Sequence, residues 1–130
     1  MIEKEMFVVT LKECYQRFGG DYEDVMARLR SEKLVSRLVV KFPADPSYQN
    51  LCDALGEKNY GDAFRAVHTL KGLCLNFSFG SLCTSACDLT ELLRHWETEP
   101  VDSARCEQLF TQVSEDYKTV TDAIKEFAGE

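Results

Sequence analysis

The chain has 130 residues, of which 45% are hydrophobic and 28% are charged, a composition typical of one globular domain. Its net charge of −7 argues against general nucleic-acid binding, because contacts with phosphates require a basic patch. No apolar run approaches the ~20 residues that a membrane helix needs, and acidic residues and lysines interrupt the N-terminus, unlike in a signal peptide. We therefore expect a cytoplasmic protein that binds neither nucleic acid nor membranes.

Two short helical stripes precede residue 45. Apolar residues recur at helical spacing in the sets Phe7, Leu11, Cys14, Phe18 and Leu34, Leu38, Phe42. Gly19-Gly20 separates the two stripes, and Pro43 and Pro46 end the second. The pattern predicts short N-terminal helices that cover a larger unit.

Four longer helices are predicted after this point, over residues 45–56, 59–79, 81–97 and 102–127. Asp45-Pro46 is a helix start, with an acid at the N-cap and proline at the first helical position. Short turns favour antiparallel neighbours, and no segment alternates as a strand does. The sequence predicts an all-α, up-and-down four-helix bundle. We expect one domain over residues 1–130, with covering helices in 1–44 and the bundle in 45–130. The starting methionine favours a stand-alone protein.

The six cysteines lie singly within apolar patterns and form no C-x-x-C pair, so we expect buried, reduced thiols. Cys83 and Cys87 are spaced i, i+4, and His95 follows two turns later. A metal-binding bundle that uses these three residues is one alternative. The distance between Cys87 and His95 along the helix disfavours it, and we predict no bound metal.

The helix predicted over residues 59–79 has two different faces. At about 100° per residue, a cluster of apolar side chains lies opposite His68, between about 160° and 240° from it: Ala63, Ala66, Leu70, Cys74 and Phe77. Around His68 itself lie Phe64, Lys71, Gly72 and Leu75, with Arg65 slightly further round. A large aromatic residue and a mid-helix glycine are unusual on a solvated face, since glycine costs roughly 1 kcal/mol relative to alanine. The outer face is therefore predicted to be a docking surface.

The chemistry of this face suits phosphoryl transfer. A neutral imidazole is a good nucleophile toward phosphorus. A phosphorylated imidazole gains about two negative charges, which Lys71 one turn away offsets, and Gly72 leaves room for a donor. Neither a carboxylate at fixed spacing nor a phosphate-binding loop accompanies His68. We therefore predict a carrier that relies on the catalytic groups of its partner.

His68-Thr69-Leu70-Lys71-Gly72 resembles the H-x-x-K-G signature of histidine-containing phosphotransfer (HPt) domains of two-component phosphorelays. The similarity extends to "RFGGDYEDVMARL" (17–29), to "ALGEKNYGDAFRAVHTLKG" (54–72) and to the order of helices up to the C-terminus. The resemblance implies a four-helix bundle without kinase activity or a cofactor of its own. Its histidine exchanges phosphoryl groups with aspartates of receiver domains, and the receiver holds the required Mg²⁺.

Carried over by position, the resemblance makes His68 the phosphoacceptor, Lys71 the residue that stabilises the phosphoryl group, and Gly72 the residue that gives access. The implied partners are response-regulator receivers and a hybrid sensor histidine kinase, which a monomer would meet in the cytoplasm. We expect these partners to dock on Phe64, Arg65, Leu75, Asn76 and Thr90.

The chain departs from the family pattern in two respects. Small residues often follow the glycine, whereas Leu73 and Leu75 are bulky, and Thr90 stands where many members have glutamine. These departures leave an alternative open, a pseudo-HPt domain that docks on a kinase or receiver without carrying phosphate.

Overall fold

The computed structural model describes residues 9–129, and every regular element in this range is helical. Three short helices and a 3₁₀ turn come first: α1 (Leu11–Arg17), α2 (Tyr22–Leu29), α3 (Glu32–Val39) and Phe42–Ala44. Four longer helices follow: α4 (Ser47–Gly56), α5 (Tyr60–Phe77), α6 (Ser81–Leu93) and α7 (Ser103–Phe127). The prediction of an all-α helical bundle is confirmed. Within the described part, no helix is long and apolar enough to cross a membrane.

The four long helices follow one another as antiparallel neighbours. Only residues 57–59, 78–80 and 94–102 connect them, and α5 packs on α4 and α6 while α7 packs on α6. On the remaining side Tyr48 of α4 joins α7, because its ring stacks on that of Tyr117 at 3.8 Å and its hydroxyl hydrogen-bonds to Ser114 at 2.8 Å. The bundle is thus closed around its core.

Most predicted helix boundaries lie within two residues of the observed ones, and the end of α6 is the exception. This helix ends at Leu93 instead of residue 97, because the chain tightens and the amide of Trp96 donates to the carbonyl of Leu93 at 3.1 Å. Trp96 then packs against Gly61, where a Cβ atom would lie 2.8 Å from the indole ring. The start of α4 lies one residue later than predicted, because Pro46 occupies the N-cap without a side-chain cap bond and Ser47 is the first helical residue; the Asp45 carboxylate accepts from the amide of Ser47 at 2.9 Å.

The N-terminal helices fix the C-terminal end of α5. The hydroxyl of Tyr15 in α1 donates to the carbonyl of Phe77 at 2.8 Å, and the guanidinium of Arg28 in α2 donates to the carbonyl of Leu75 at 3.0 Å. Ser78 ends α5 in the left-handed conformation and donates to Asp24 of α2. These bonds satisfy carbonyls that the end of a helix leaves free, and they hold α5 in place.

The stripe predicted for α3 is displaced by one residue. Val35 and Val39 are the fully buried side chains of this helix, while Leu34 and Leu38 are only half-buried. In an eight-residue helix either adjacent pair can face the core, and the packing against neighbouring helices decides between them. Phe7 of the first predicted stripe lies outside the described residues. The division into residues 1–44 and 45–130 remains a prediction.

Candidate functional site

Helix α5 presents the two faces that its sequence predicts. The five side chains of the apolar face are all buried: Ala63, Ala66, Leu70, Cys74 and Phe77. His68 is exposed on the opposite side, in the middle of the helix. Its surroundings, which we call the His68 face, consist of Phe64, His68, Lys71, Gly72 and Leu75. The buried face anchors the helix in the bundle and leaves the His68 face to solvent.

The His68 ring lies next to an aromatic ring. The centroids of His68 and Phe64 are 5.8 Å apart, and the ring planes are inclined by 47°. Phe64 is half-buried and packs against the core, so it gives the imidazole a firm apolar neighbour one turn away. This contact restricts the ring of His68 on one side while leaving its outer side free.

Lys71 and Gly72 complete the turn after His68 and differ in what they supply. Lys71 is half-buried, so its aliphatic chain packs along the surface of the bundle, and it lies one turn after His68 on the same helix. A Cβ atom built on Gly72 would meet no atom within 4 Å. No neighbouring residue fills the space around Gly72, so a side chain at residue 72 would extend into the open space beside His68.

Helix α6 adds a charged pair that the sequence analysis missed. Glu91 accepts hydrogen bonds from Arg94 at 3.0 Å (Nε) and 2.5 Å (Nη2), and the guanidinium of Arg94 lies 5.8 Å from the centroid of the Phe64 ring. These bonds, followed by the positive charges of Arg94, Lys71 and His95, lower the pKa of Glu91. The guanidinium of Arg94 thus lies at cation–π distance over the aromatic neighbour of His68. The i, i+3 spacing of Glu91 and Arg94 was the signal available in the sequence.

The expectation that Thr90 contacts a partner is wrong. This side chain is fully buried, and its hydroxyl donates to the carbonyl of Ala86 in the preceding turn at 2.7 Å. Thr90 lies about 40° from Ala86 around the helix axis, and Ala86 belongs to the core stripe. Position 90 therefore belongs to the core of α6, and its hydroxyl is already used within its own helix.

The other predicted docking residues lie on the surface. Leu75 is 51% exposed, one of the two large apolar side chains that the described part leaves exposed. Asn76 and Arg65 are exposed as well. Arg65 forms a salt bridge with Asp62 of its own helix and lines a groove of about 650 Å³ between α4 and α5. The structure thus brings Phe64, Arg65, Leu75 and Asn76 to the surface of α5 and removes Thr90 from the set.

The alternative metal site has no support in the geometry. Between residues 9 and 129, no group of three or more histidine, cysteine, aspartate or glutamate side chains is arranged to hold a metal ion. Cys83 and Cys87 are half-buried on α6, and His95 lies in the turn after this helix has ended. The early end of α6 breaks the helical register on which the Cys83, Cys87 and His95 hypothesis depended.

A comparison with protein-family models finds a match to the Hpt domain over residues 44–126. Searches of the curated proteins and of the solved structures found no match. The matched range covers well over half of the chain, contains α4 to α6 and nearly all of α7, and includes every residue of the His68 face. Domains of this kind take part in phosphotransfer in two-component signalling. The chain belongs to the Hpt domain family.

Proposed function

We propose that this protein is a phosphoryl carrier in which His68 accepts a phosphoryl group from the aspartyl phosphate of one receiver domain and passes it to another. The observation that carries this proposal is the position of His68, which is exposed in the middle of α5 beside a cation and an open glycine. No kinase activity of its own is needed. The protein would act in the cytoplasm as a monomer.

The transfer requires little from this chain besides a nucleophile and its surroundings. The outward nitrogen of the neutral imidazole attacks phosphorus, a P–N bond forms, and the P–O bond to the receiver's aspartate breaks, so the aspartate leaves as a carboxylate. The reverse reaction returns the group to another aspartate. The Mg²⁺ that assists both steps is expected in the acidic pocket of the receiver, so this chain needs no metal.

Lys71 and Gly72 would serve different stages of the transfer. The phosphoryl group brings about two negative charges, and the Lys71 ammonium, one turn from His68, offsets part of them. Gly72 allows the receiver's loops to approach the imidazole closely. Phe64, Leu75 and Asn76 then provide surface for docking, and a hybrid histidine kinase would contact the same surface through its receiver.

The choice between His68 and the second histidine of the chain can be tested directly. A receiver is charged with radiolabelled acetyl phosphate and Mg²⁺ and is then mixed with this protein. We expect label that is labile in acid and stable in base, that is abolished by His68→Gln, and that is unchanged by His95→Gln. His95 is also exposed, so it is a matched control. Label that persists in His68→Gln would disprove the assignment.

The second candidate is a docking domain without phosphotransfer. Two observations favour it: Leu75 is an exposed apolar side chain, and Thr90 is buried, so position 90 offers no polar group at the surface. In that case receivers would bind equally well to the wild type and to His68→Gln, and neither protein would take up label. The uptake of label by the wild type therefore separates the candidates, and a binding measurement on the same two proteins shows whether a receiver docks at all.

A further inference from the structure

We propose that the groove between α4 and α5 belongs to the surface on which a receiver domain docks, and that it binds a basic side chain of this partner, a lysine or an arginine. The groove, which we call the α4–α5 groove, has a volume of about 650 Å³. On α5 it is lined by Arg65 and Thr69, which flank His68 along the helix. The choice of a receiver as the partner rests on the proposed function.

Two small side chains leave this groove open where α4 and α5 pack against each other. Ala54 of α4 and Ala66 of α5 line it and are 6% and 8% exposed. Neither side chain is long enough to fill the space between the two helices. Residues 57–59 connect the helices directly, so the two walls of the groove are held next to each other by the fold.

Carboxylates line the α4–α5 groove without enough cations to balance them. Asp45, Asp53 and Glu57 line it, and none of the three forms an ion pair within the described residues. Asp62 is the fourth acid of the lining, and it already pairs with Arg65, the one cation among the described residues that line the groove. The groove is therefore net negative and complements a positive group.

A buried hydroxyl in the groove indicates a ligand independently of the carboxylates. Ser47 lines the groove and is only 5% exposed. Its amide donates to Asp45, whereas its side-chain hydroxyl takes part in no hydrogen bond within residues 9–129. Every fully buried polar side-chain atom in this range has a partner, so the Ser47 hydroxyl must open to the groove.

The polar groups of the groove form a set of hydrogen-bond acceptors. Besides the carboxylates, Ser47 offers its hydroxyl oxygen and Asn50 offers an exposed amide oxygen. Lysine and arginine carry several donors and no acceptor, so every hydrogen bond that they form in the groove would be directed to one of these oxygens. The acceptors and the negative charge together favour a basic side chain over a neutral one.

The size of a docked partner brings it over the groove. A stable interface covers about 800 Å² on each partner and involves about 20 residues or more, whereas the His68 face consists of five residues. A receiver centred on His68 must therefore also cover the surfaces beside α5. On one side it meets Arg94 and Glu91 of α6, and on the other side it meets the α4–α5 groove.

The proposal is tested by titrating a receiver that exchanges label with the wild type into the double variant Asp53→Asn/Glu57→Gln. Both side chains are exposed and keep their size, so the fold should be retained. We expect the Kd to rise about five- to tenfold at low salt, and the difference should shrink as salt screens the charges. The matched control is Glu107→Gln/Glu115→Gln, which removes the same charge from exposed side chains of α7 and should bind as the wild type does.

A second variant fills the groove from the chain itself. Asn50→Arg places a guanidinium among the carboxylates and should weaken the binding of the receiver by a similar factor, whereas Asn50→Gln should not. The basic side chain of the partner is then identified by replacing the lysines and arginines of the receiver one at a time with alanine. One replacement should weaken binding to the wild type but not to Asp53→Asn/Glu57→Gln, as expected for two groups in contact.

Three results would overturn the proposal. The first is an equal rise of the Kd in the groove variant and in the α7 control, which would show an effect of net charge alone. The second is a set of receiver replacements in which none is coupled to the groove. The third is saturable binding of spermine or Mg²⁺ that the groove variant loses while its binding of the receiver is unchanged, which would assign the groove to a small cation.

Failure of this inference can be distinguished from failure of the proposed function. If the wild type takes up label on His68 and the groove variants bind the receiver unchanged, only the role of the α4–α5 groove is refuted. If no receiver transfers label to the wild type, the proposed function is refuted, and the receiver as the occupant of the groove is refuted with it.

Discussion

The two faces of α5 differ in whether the packing of the bundle requires their side chains, although the residues of both faces alternate along one helix. The core face consists of small and apolar side chains that are at most 8% exposed, and each is fixed by packing. The His68 face carries an imidazole, an ammonium, an open glycine and an exposed leucine, and the packing of the bundle requires none of these. Fold and proposed function can therefore be changed separately, by substitutions only a few residues apart.

The largest difference in the free energy of unfolding is expected between alanine substitutions at two leucines of α5. Leu70→Ala should lower the free energy of unfolding by about 2–5 kcal/mol, because it leaves a cavity in the core. Leu75→Ala should change it by less than about 0.5 kcal/mol, because Leu75 is half in solvent. Urea denaturation of both variants tests the comparison, and a similar loss in the two would show that the His68 face also holds the fold together.

The next effect concerns the charge beside His68. Lys71→Ala should slow phosphotransfer or shorten the lifetime of the phosphorylated protein by about tenfold or more, since a hydrogen bond to a charged group contributes roughly 1.5–3 kcal/mol. Lys71→Arg should retain most of the effect. Lys118, which pairs with Asp122 on α7, gives the control Lys118→Ala. If both alanine variants transfer at the wild-type rate, Lys71 has no role in the reaction.

Substitutions of Gly72 should slow phosphotransfer without lowering the stability of the fold. Gly72→Ala is expected to stabilise the isolated protein by up to about 1 kcal/mol, because it improves helix propensity and meets no atom within 4 Å. Gly72→Leu should fold as well but should transfer more slowly, because the side chain fills the space that a receiver needs. Gly56, whose Cβ position is equally open and lies away from the His68 face, provides Gly56→Leu as the matched control. Equal rates in the two leucine variants would exclude a steric role for Gly72.

The smallest effect is expected at the pair on α6. Glu91→Gln removes the negative charge that holds Arg94 over Phe64, yet both side chains are exposed, so the midpoint of thermal unfolding should not change measurably. The docking of a receiver should weaken instead, because Arg94 is then free to leave the His68 face. Titration of a receiver into Glu91→Gln and wild type measures this, and a lower unfolding midpoint with unchanged docking would assign the pair to the fold.

The sequence alone predicted what depends on helical periodicity. It placed the four long helices, separated the two faces of α5 and predicted that His68 is exposed, because about 100° per residue determines which side chains share a face. The same sorting applied to α6 would have placed Thr90 in the core, beside Ala86. The position was instead assigned by its distance from His68, which ignores the face of the helix on which it lies.

Contacts between helices were beyond this approach. The position of Arg94 over Phe64 depends on how α6 packs against α5, which the spacing of residues within either helix does not show. The displaced stripe of α3 also depends on packing between helices, which buries Val35 and Val39 instead of the neighbouring leucines.

The central claim, that the His68 face of α5 carries the phosphoryl group, is tested most directly by locating that group. Trypsin cuts after Arg65 and Lys71 and releases residues 66–71, a peptide whose only histidine is His68. After incubation with a charged receiver and digestion at mildly basic pH, we predict that mass spectrometry finds the phosphoryl group on the imidazole of this peptide. A phosphoryl group on the peptide that begins at His95, or on no peptide at all, would contradict the account.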